Sequence, residues 1–593
     1  MKSFKNWLVV VSTILFSAAI IGSCSKGFLT NLPQGSLSPE VIANKAGVYN
    51  LLVGAYHALN GQNTGSGNAW SSSPDNWIYG SLAGGDAHKG SDGSDQPPMN
   101  SIATWSIDPS NAFMQDKWRA MYEGVARSNA VIIYTGLATD MTAADKTLML
   151  SEAHFLRGHF YFELKRMFNM VPWISDTTIN YKTPNNVDIW PNIEADFQYA
   201  VDSLGNTGAD VGRANKWAAE AYLAKVYMYE QKFPQAKALF DDVIANGVTS
   251  QGAKYGLFAQ YEDNFRGETK NGIESVFAVQ MSANDGSGGI ANANQGDMLN
   301  FPYVSPWGCC GFYQPTIDLV NSFQTDPSTG LPLLDTYNDK TFKNDLGITS
   351  AAAFAPDSVT TVDPRLDWTA GRRGIPFLDW GLHPGAAYIR DQSYAGPYSP
   401  KKNLFWSFNS STYWDQNSWA PGTGLNVNVI RFADVLLMAA EAEVQGGGTL
   451  DQAEAYVNQV RNRAANPAGW VYKYNVDTIP LQGFSTKPAA NYFIKPYPAG
   501  AFASKGQAYA LQAIYFERKL ELAMEGHRYF DLARWGTAQT ELNKFYAFEG
   551  KLLPDVTGGN FTAPKNNFFP IPLGEIDLST SGTTVTLTQN SGY

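Results

Sequence analysis

Three glutamates, Glu517, Glu521 and Glu525, recur at a spacing of four. On a helix that spacing stacks them along one face, where like charges repel by roughly a few tenths of a kcal/mol per pair. Arg518, Arg528 and Arg534 lie near enough in sequence to neutralise them as bidentate partners. The catalytic alternative is a glycosidase acid/base pair, which needs two carboxylates about 5–10 Å apart across a cleft. Glutamates among arginines and apolar residues read instead as structural. Ser399-Pro-Lys-Lys402 has the S-x-x-K form without its S-D-N and K-T-G partners. There is no phosphate-binding G-x-x-x-x-G-K-[S/T] loop and no H-E-x-x-H, and the six histidines are scattered. His154 and His159 sit in an alanine- and aromatic-rich helical stretch, where packing accounts for them. The expectations are no enzyme activity, no cofactor and no metal.

The aromatic residues suggest a different chemistry. Trp70, Trp77, Trp105, Trp307, Trp368, Trp380, Trp406, Trp414 and Trp419 all fall in two polar, glycine-rich stretches, 61–108 and 283–428. No helix seam there needs filling. A sugar ring has an apolar C–H face, so flat rings flanked by amides and charged groups suit carbohydrate capture. Two or three of these rings are expected to touch ligand, the rest to pack the stretches themselves. Candidate contacts are Asp86 in Gly84–Ser91, Trp105 at the end of the first stretch, and Trp307, Cys309, Cys310 and Tyr313 in Pro306–Tyr313. Arg372 and Arg373, as fork donors, and Tyr398 complete the set. Adjacent cysteines without further ligands make no metal site. They can close on each other in an oxidising compartment or remain two small buried thiols. Closed, they would form a rigid apolar plate beside Trp307, across a peptide whose trans Cα spacing of about 3.8 Å is short for a disulfide.

Helical periodicity must position these stretches. It runs over about 41–60, over 111–246 with short breaks, and over 429–548 with an interruption near 466–506. Leu223-Ala224-x-x-Tyr227 followed by Ala236, Phe240 and Val243 has tetratricopeptide spacing. Small Ala224 and Ala236 let two antiparallel helices close up, and Pro234 falls in the first turn, where its missing N–H is harmless. Val435–Val444, a Gly446-Gly447-Gly448 turn and Leu450–Arg463 form a second such pair. The predicted fold is mostly α, a tetratricopeptide-like helical-repeat scaffold with large loop-rich insertions containing short strands.

The first residues read as an export signal. Lys2 and Lys5 precede an apolar run, Trp7–Ile21, too short to span a bilayer. Ile21-Gly22-Ser23-Cys24 then has the small residues that bacterial lipoprotein processing cuts before a cysteine, leaving Cys24 acylated as a membrane anchor. Residues 1–23 carry two lysines and no acid, so the remainder is more acidic than the net charge of −11 of the whole chain. Without a basic run, such a chain is a poor nucleic-acid ligand.

Several segments together resemble one family. Arg431–Ala442 with Val460–Ala464, and Glu517–Trp535, are similar to signatures of the SusD/RagB outer-membrane lipoproteins. So are Ser151–Arg157, Tyr161–Leu164, Val171-Pro172, Asn567–Pro572 with Glu575, and the closing Gln589–Tyr593. The resemblance spans the mature chain. It implies signal peptide 1–23, then regions 24–282 and 283–593 in one folded unit on four tetratricopeptide-like helix pairs. It also implies an outer-membrane protein that captures glycan and caps a TonB-dependent, SusC-like β-barrel. A glycan-cleaving enzyme and a peptide receptor using the repeat groove stay open as alternatives.

Overall fold

The computed structural model describes residues 39–61, 69–287 and 291–593; Cys24 lies outside them. The scaffold helices are α1 (Lys45–His57), α2 (Ala112–Leu137), α3 (Ala143–Phe168), α4 (Trp190–Ser203), α5 (Lys216–Tyr229) and α6 (Phe233–Asn246). After the second insertion come α7 (Phe432–Gln445), α8 (Leu450–Ala465), α9 (Gln507–Glu521), α10 (Arg528–Arg534) and α11 (Ala538–Glu549). The fold is helix-rich, as the periodicity predicted. Side chains start many of these helices: Asn111, Asn215 and Thr449 accept from backbone N–H groups, and Thr142 with Asp145 forms a capping box.

Each helix from α2 to α8 packs on the next, including α6 on α7 across the long second insertion. Leu223, Ala224, Ala236, Phe240 and Val243 are all buried in the α5–α6 seam, while Tyr227 stays half-buried. On α2, Gly124 leaves room for the Phe160 ring of α3, which a Cβ would overlap. One contiguous apolar core runs from Val48 to Leu587.

Short antiparallel pairs tie the insertions down. These are β1 (Ala87–Gly90) with β3 (Phe312–Pro315), β2 (Ser275–Val279) with β6 (Val427–Arg431), β4 (Ala370–Gly371) with β5 (Ser399–Pro400), and β7 (Tyr472–Tyr474) with β8 (Phe484–Pro488).

The glutamate row is neutralised by different arginines from those its sequence neighbourhood suggested. Glu517 pairs with Arg365 at 2.7 Å and Arg461 at 2.8 Å; Glu521 takes Arg365 and Arg431 at 2.8 and 2.6 Å, and Arg463 as well. Glu525 meets Arg431 at 2.8 Å and Lys402 at 2.6 Å. Arg518 instead serves Asp434 and Asp531, and Arg534 serves Glu441 and Asp531. Glu517 and Glu521 lie on α9, but the helix ends at Glu521 and Glu525 falls in the turn beyond, so the three do not share one helix face as the spacing suggested. All point inward, where cations on other elements reach them better than those following in the chain.

Candidate functional site

Backbone pairing brings the nominated stretches together. β1 of the first insertion lies against β3 of the second, with His88 opposite Gln314. Ser91 N–H donates to the Gly311 carbonyl at 2.6 Å, and Thr316 N–H to that of Asp86 at 3.0 Å. Gly90 and Gly311 cross with φ of +81° and +77°, and a Cβ on Gly90 would strike the Gly311 carbonyl and Phe312. The Gln314 amide donates to the carbonyls of Gly396 and Tyr398 at 3.2 and 3.0 Å, and β4 pairs Gly371 with Ser399. The stretches around residues 86, 310, 372 and 398 thus form one body.

Most of the nominated side chains face into that body. Asp86 is buried and accepts only a long bond, 3.5 Å, from Met524 N–H; burial pushes its carboxyl up to about 6. Trp105 stacks on Phe569 at 5.0 Å and donates to the Ala83 carbonyl at 2.9 Å. Tyr313 packs on Trp77 and donates to Ser81, Arg372 is bidentate to Asp367 at 2.6 and 2.9 Å, and Tyr398 is buried. Arg373 is spent on the carbonyls of Thr349, Ser350 and Ala352. Asp86, Trp105, Tyr313, Arg372 and Tyr398, all nominated as ligand contacts, are buried here and hold the insertions together. Hydrophilic context suggested exposure, but strand pairing and core contacts closed over them.

The outward surface is built around Trp307. Its ring is almost fully buried, packed against Trp380 at 4.8 Å, Tyr388 at 5.4 Å and Phe377 at 6.2 Å. Its indole N–H has no hydrogen-bond partner among the described residues. Cys309, Tyr388 and Trp380 are half-exposed beside it, and Cys310 is buried. Cys309 and Cys310 are joined through their sulfurs across a cis peptide, so the Cα atoms lie 3.0 Å apart rather than at the trans spacing assumed from sequence.

Tyr303, 44% exposed, lies under the Arg390 guanidinium at 4.8 Å. Arg390 in turn holds Asp92 and Asp95 of the first insertion, each at 2.7 Å. Rings continue from Trp380 through Phe405 to Trp414, and Trp419, 64% exposed, stands edge-on to Trp70 at 6.5 Å. Sequence reasoning missed Tyr303, Tyr388 and Arg390. An arginine two residues beyond a tyrosine in a polar insertion was the available signal. Half-exposed rings beside a fixed guanidinium and two carboxylates can lie against C–H faces and bond hydroxyls.

The other sequence-level candidates are occupied. Gly385 N–H donates to His383 Nδ1 at 3.1 Å, which leaves Nε2–H to donate to Ser399 Oγ at 2.9 Å. A general base would have to accept from that hydroxyl, and burial pulls the imidazole down to about 3. His154 pairs with Asp196, and His159 bonds the Tyr222 hydroxyl. Among the described residues, no three potential His, Cys, Asp or Glu ligands cluster, and no helix is long and apolar enough to cross a membrane.

Two family models match the chain: the SusD family over residues 273–593, and "Starch-binding associating with outer membrane" over 28–228. The chain belongs to the SusD family. A SusD-like protein of Bacteroides ovatus is 24% identical over 565 residues, which cover 90% of this chain and 82% of that protein. A SusD superfamily protein of Bacteroides vulgatus superposes with a TM-score of 0.64 at 19% identity, covering 93% of this chain and 99% of the other. Surface glycan-binding protein A of Bacteroides thetaiotaomicron, solved with laminarihexaose, superposes at 0.56 with 19% identity, covering 92% and 98%. At these identities the structural matches establish the SusD fold.

Proposed function

We propose that this chain is a non-catalytic glycan receptor of the outer membrane, held there by acylated Cys24. It captures oligo- or polysaccharide and passes it to a TonB-dependent, SusC-like β-barrel. The observation that carries the reading is the aromatic face that the two insertions build jointly. On it Tyr303 lies under the Arg390 guanidinium, while Tyr388 packs on the buried Trp307 ring, with half-exposed Cys309 two residues beyond Trp307. Rings, a fork donor and carboxylates are what a sugar polymer requires. The laminarihexaose complex of a SusD-fold neighbour supports the class of ligand, and the match of residues 28–228 to a family associating with the outer membrane supports the location.

Catalysis is disfavoured because the carboxylates at helical spacing are buried against arginines and the Ser399–His383 bond runs the wrong way for activation. The deciding experiment is a glycan array with purified protein, followed by incubation with each hit. Retention of glycan without new reducing ends is expected; saturable hydrolysis abolished by a single carboxylate substitution would overturn the reading. Cys24→Ala is expected to move the protein into the aqueous phase of a detergent partition, and mild native purification to bring down a large β-barrel.

A further inference from the structure

On a different wall, α9, α10, α11 and the segment 334–338 enclose a cavity of about 500 Å³, within the size range of small-molecule sites. It shares no lining residue with the aromatic face. One side is apolar, made by Leu334, Phe516, Leu532 and Phe548 around the stacked Tyr515–Trp535 pair, whose centroids are 3.8 Å apart.

Its charged side chains are engaged with one exception. Asp318 is taken by Lys519 at 2.7 Å, Asp335 accepts from Gln512 at 2.7 Å, and Glu541 pairs with Lys544 at 3.2 Å. Arg528 lines the same cavity, half-buried, and makes no hydrogen bond or ion pair among the described residues. Its charge is felt only through space: it partly offsets the burial that raises the Asp86 carboxyl, and against the burial of Asp318 it adds to the Lys519 charge that lowers that carboxyl. Five N–H donors in a planar fork are left to a ligand.

We propose that this cavity binds a small organic carboxylate with a flat apolar body, its carboxylate on Arg528 and its body against Tyr515 and Trp535. The fork geometry matches a carboxylate bidentately. Leu532 and Phe548 offer a polyol's hydroxyls no partner on that wall, and the carboxylates that also line the cavity are already engaged. The site is independent of the glycan face.

The test is calorimetric titration of the purified protein with phenylacetate, its uncharged counterpart phenylacetamide, and acetate. Phenylacetate should bind at least about tenfold more tightly than either, from one charge-assisted contact plus the buried ring. Arg528→Gln should abolish that preference; it also removes a charge that Asp86 and Asp318 feel through space, so a modest drop in melting temperature is expected and binding is read well below that temperature. Leu511→Trp, which fills the cavity from α9, should block binding without touching the charge. Equal binding of phenylacetate and phenylacetamide, unchanged affinity in Arg528→Gln, or no binding at millimolar probe would each overturn the proposal.

Discussion

Arg431 and Glu521 meet at 2.6 Å with neither side chain more than 1% open to water. Burial alone would push the Glu521 carboxyl up, but Arg463, Arg431 and Arg365 outweigh it and hold it well below the usual carboxylate range. Breaking a buried pair from one side leaves uncompensated charge and costs about 3–5 kcal/mol. Glu521→Ala is therefore expected to lower the melting temperature strongly, read by thermal denaturation. The folded carboxyl is depressed, so its stabilisation is present above the unfolded value of about 4.3 and fades as pH falls below it.

His88 works in the opposite direction. Burial pulls its imidazole down, but Asp555 and Glu549, bonded to the two ring nitrogens at 2.9 and 2.8 Å, hold it up at about 10. A raised value means that the stabilisation is complete below the unfolded value of about 6.5 and is lost as pH rises towards about 10. His88→Asn should cost about 3–5 kcal/mol near neutrality, and urea unfolding should show the gap narrowing in alkali.

Asp86 gives the mirror-image test. Its carboxyl is raised to about 6, so the folded protein bears a buried, poorly partnered charge above that pH. Asp86→Asn should stabilise the protein by about 2 kcal/mol near pH 7.5, with the difference vanishing below about pH 4. An equal effect at both pH values, by chemical denaturation, would rule out the charge as its source.

The glycan face separates binding from folding. Tyr388→Ala removes a half-exposed ring and should weaken binding of a glycan identified by array by about 1–2 kcal/mol, with little change in melting temperature. Arg390→Ala should weaken it as much, with a small loss of stability from its pairs with Asp92 and Asp95. Trp307→Ala empties a buried site and should destabilise the fold by about 3–5 kcal/mol. If affinity resists Tyr388→Ala and Arg390→Ala alike, the ligand lies elsewhere on the aromatic band, with Trp419 the next ring to test.

The scaffold was legible because helix period and seam chemistry are local: Ala224, Ala236 and Phe240 announce their packing within one helix pair. The insertions were legible as units, since aromatic and glycine-rich composition is visible in the chain and the two stretches do come together, yet Asp86 and Trp105 turn inward. Their fate depends on the β1–β3 pairing and on Phe569, partners hundreds of residues away. The same distance explains the misassigned arginines. Arg365 and Arg431 reach Glu521 from 156 and 90 residues away, and no spacing rule within α9 points to them.

The β1–β3 ladder also bears on how this protein could acquire a new ligand. Because the Arg390 of one insertion is clamped by Asp92 and Asp95 of the other, neither loop is an independent cassette. Transplanting residues 303–313 alone into a relative would carry Tyr303 and Trp307 without the strand that seats them. Specificity in such a protein is inherited, or engineered, as a matched pair of segments.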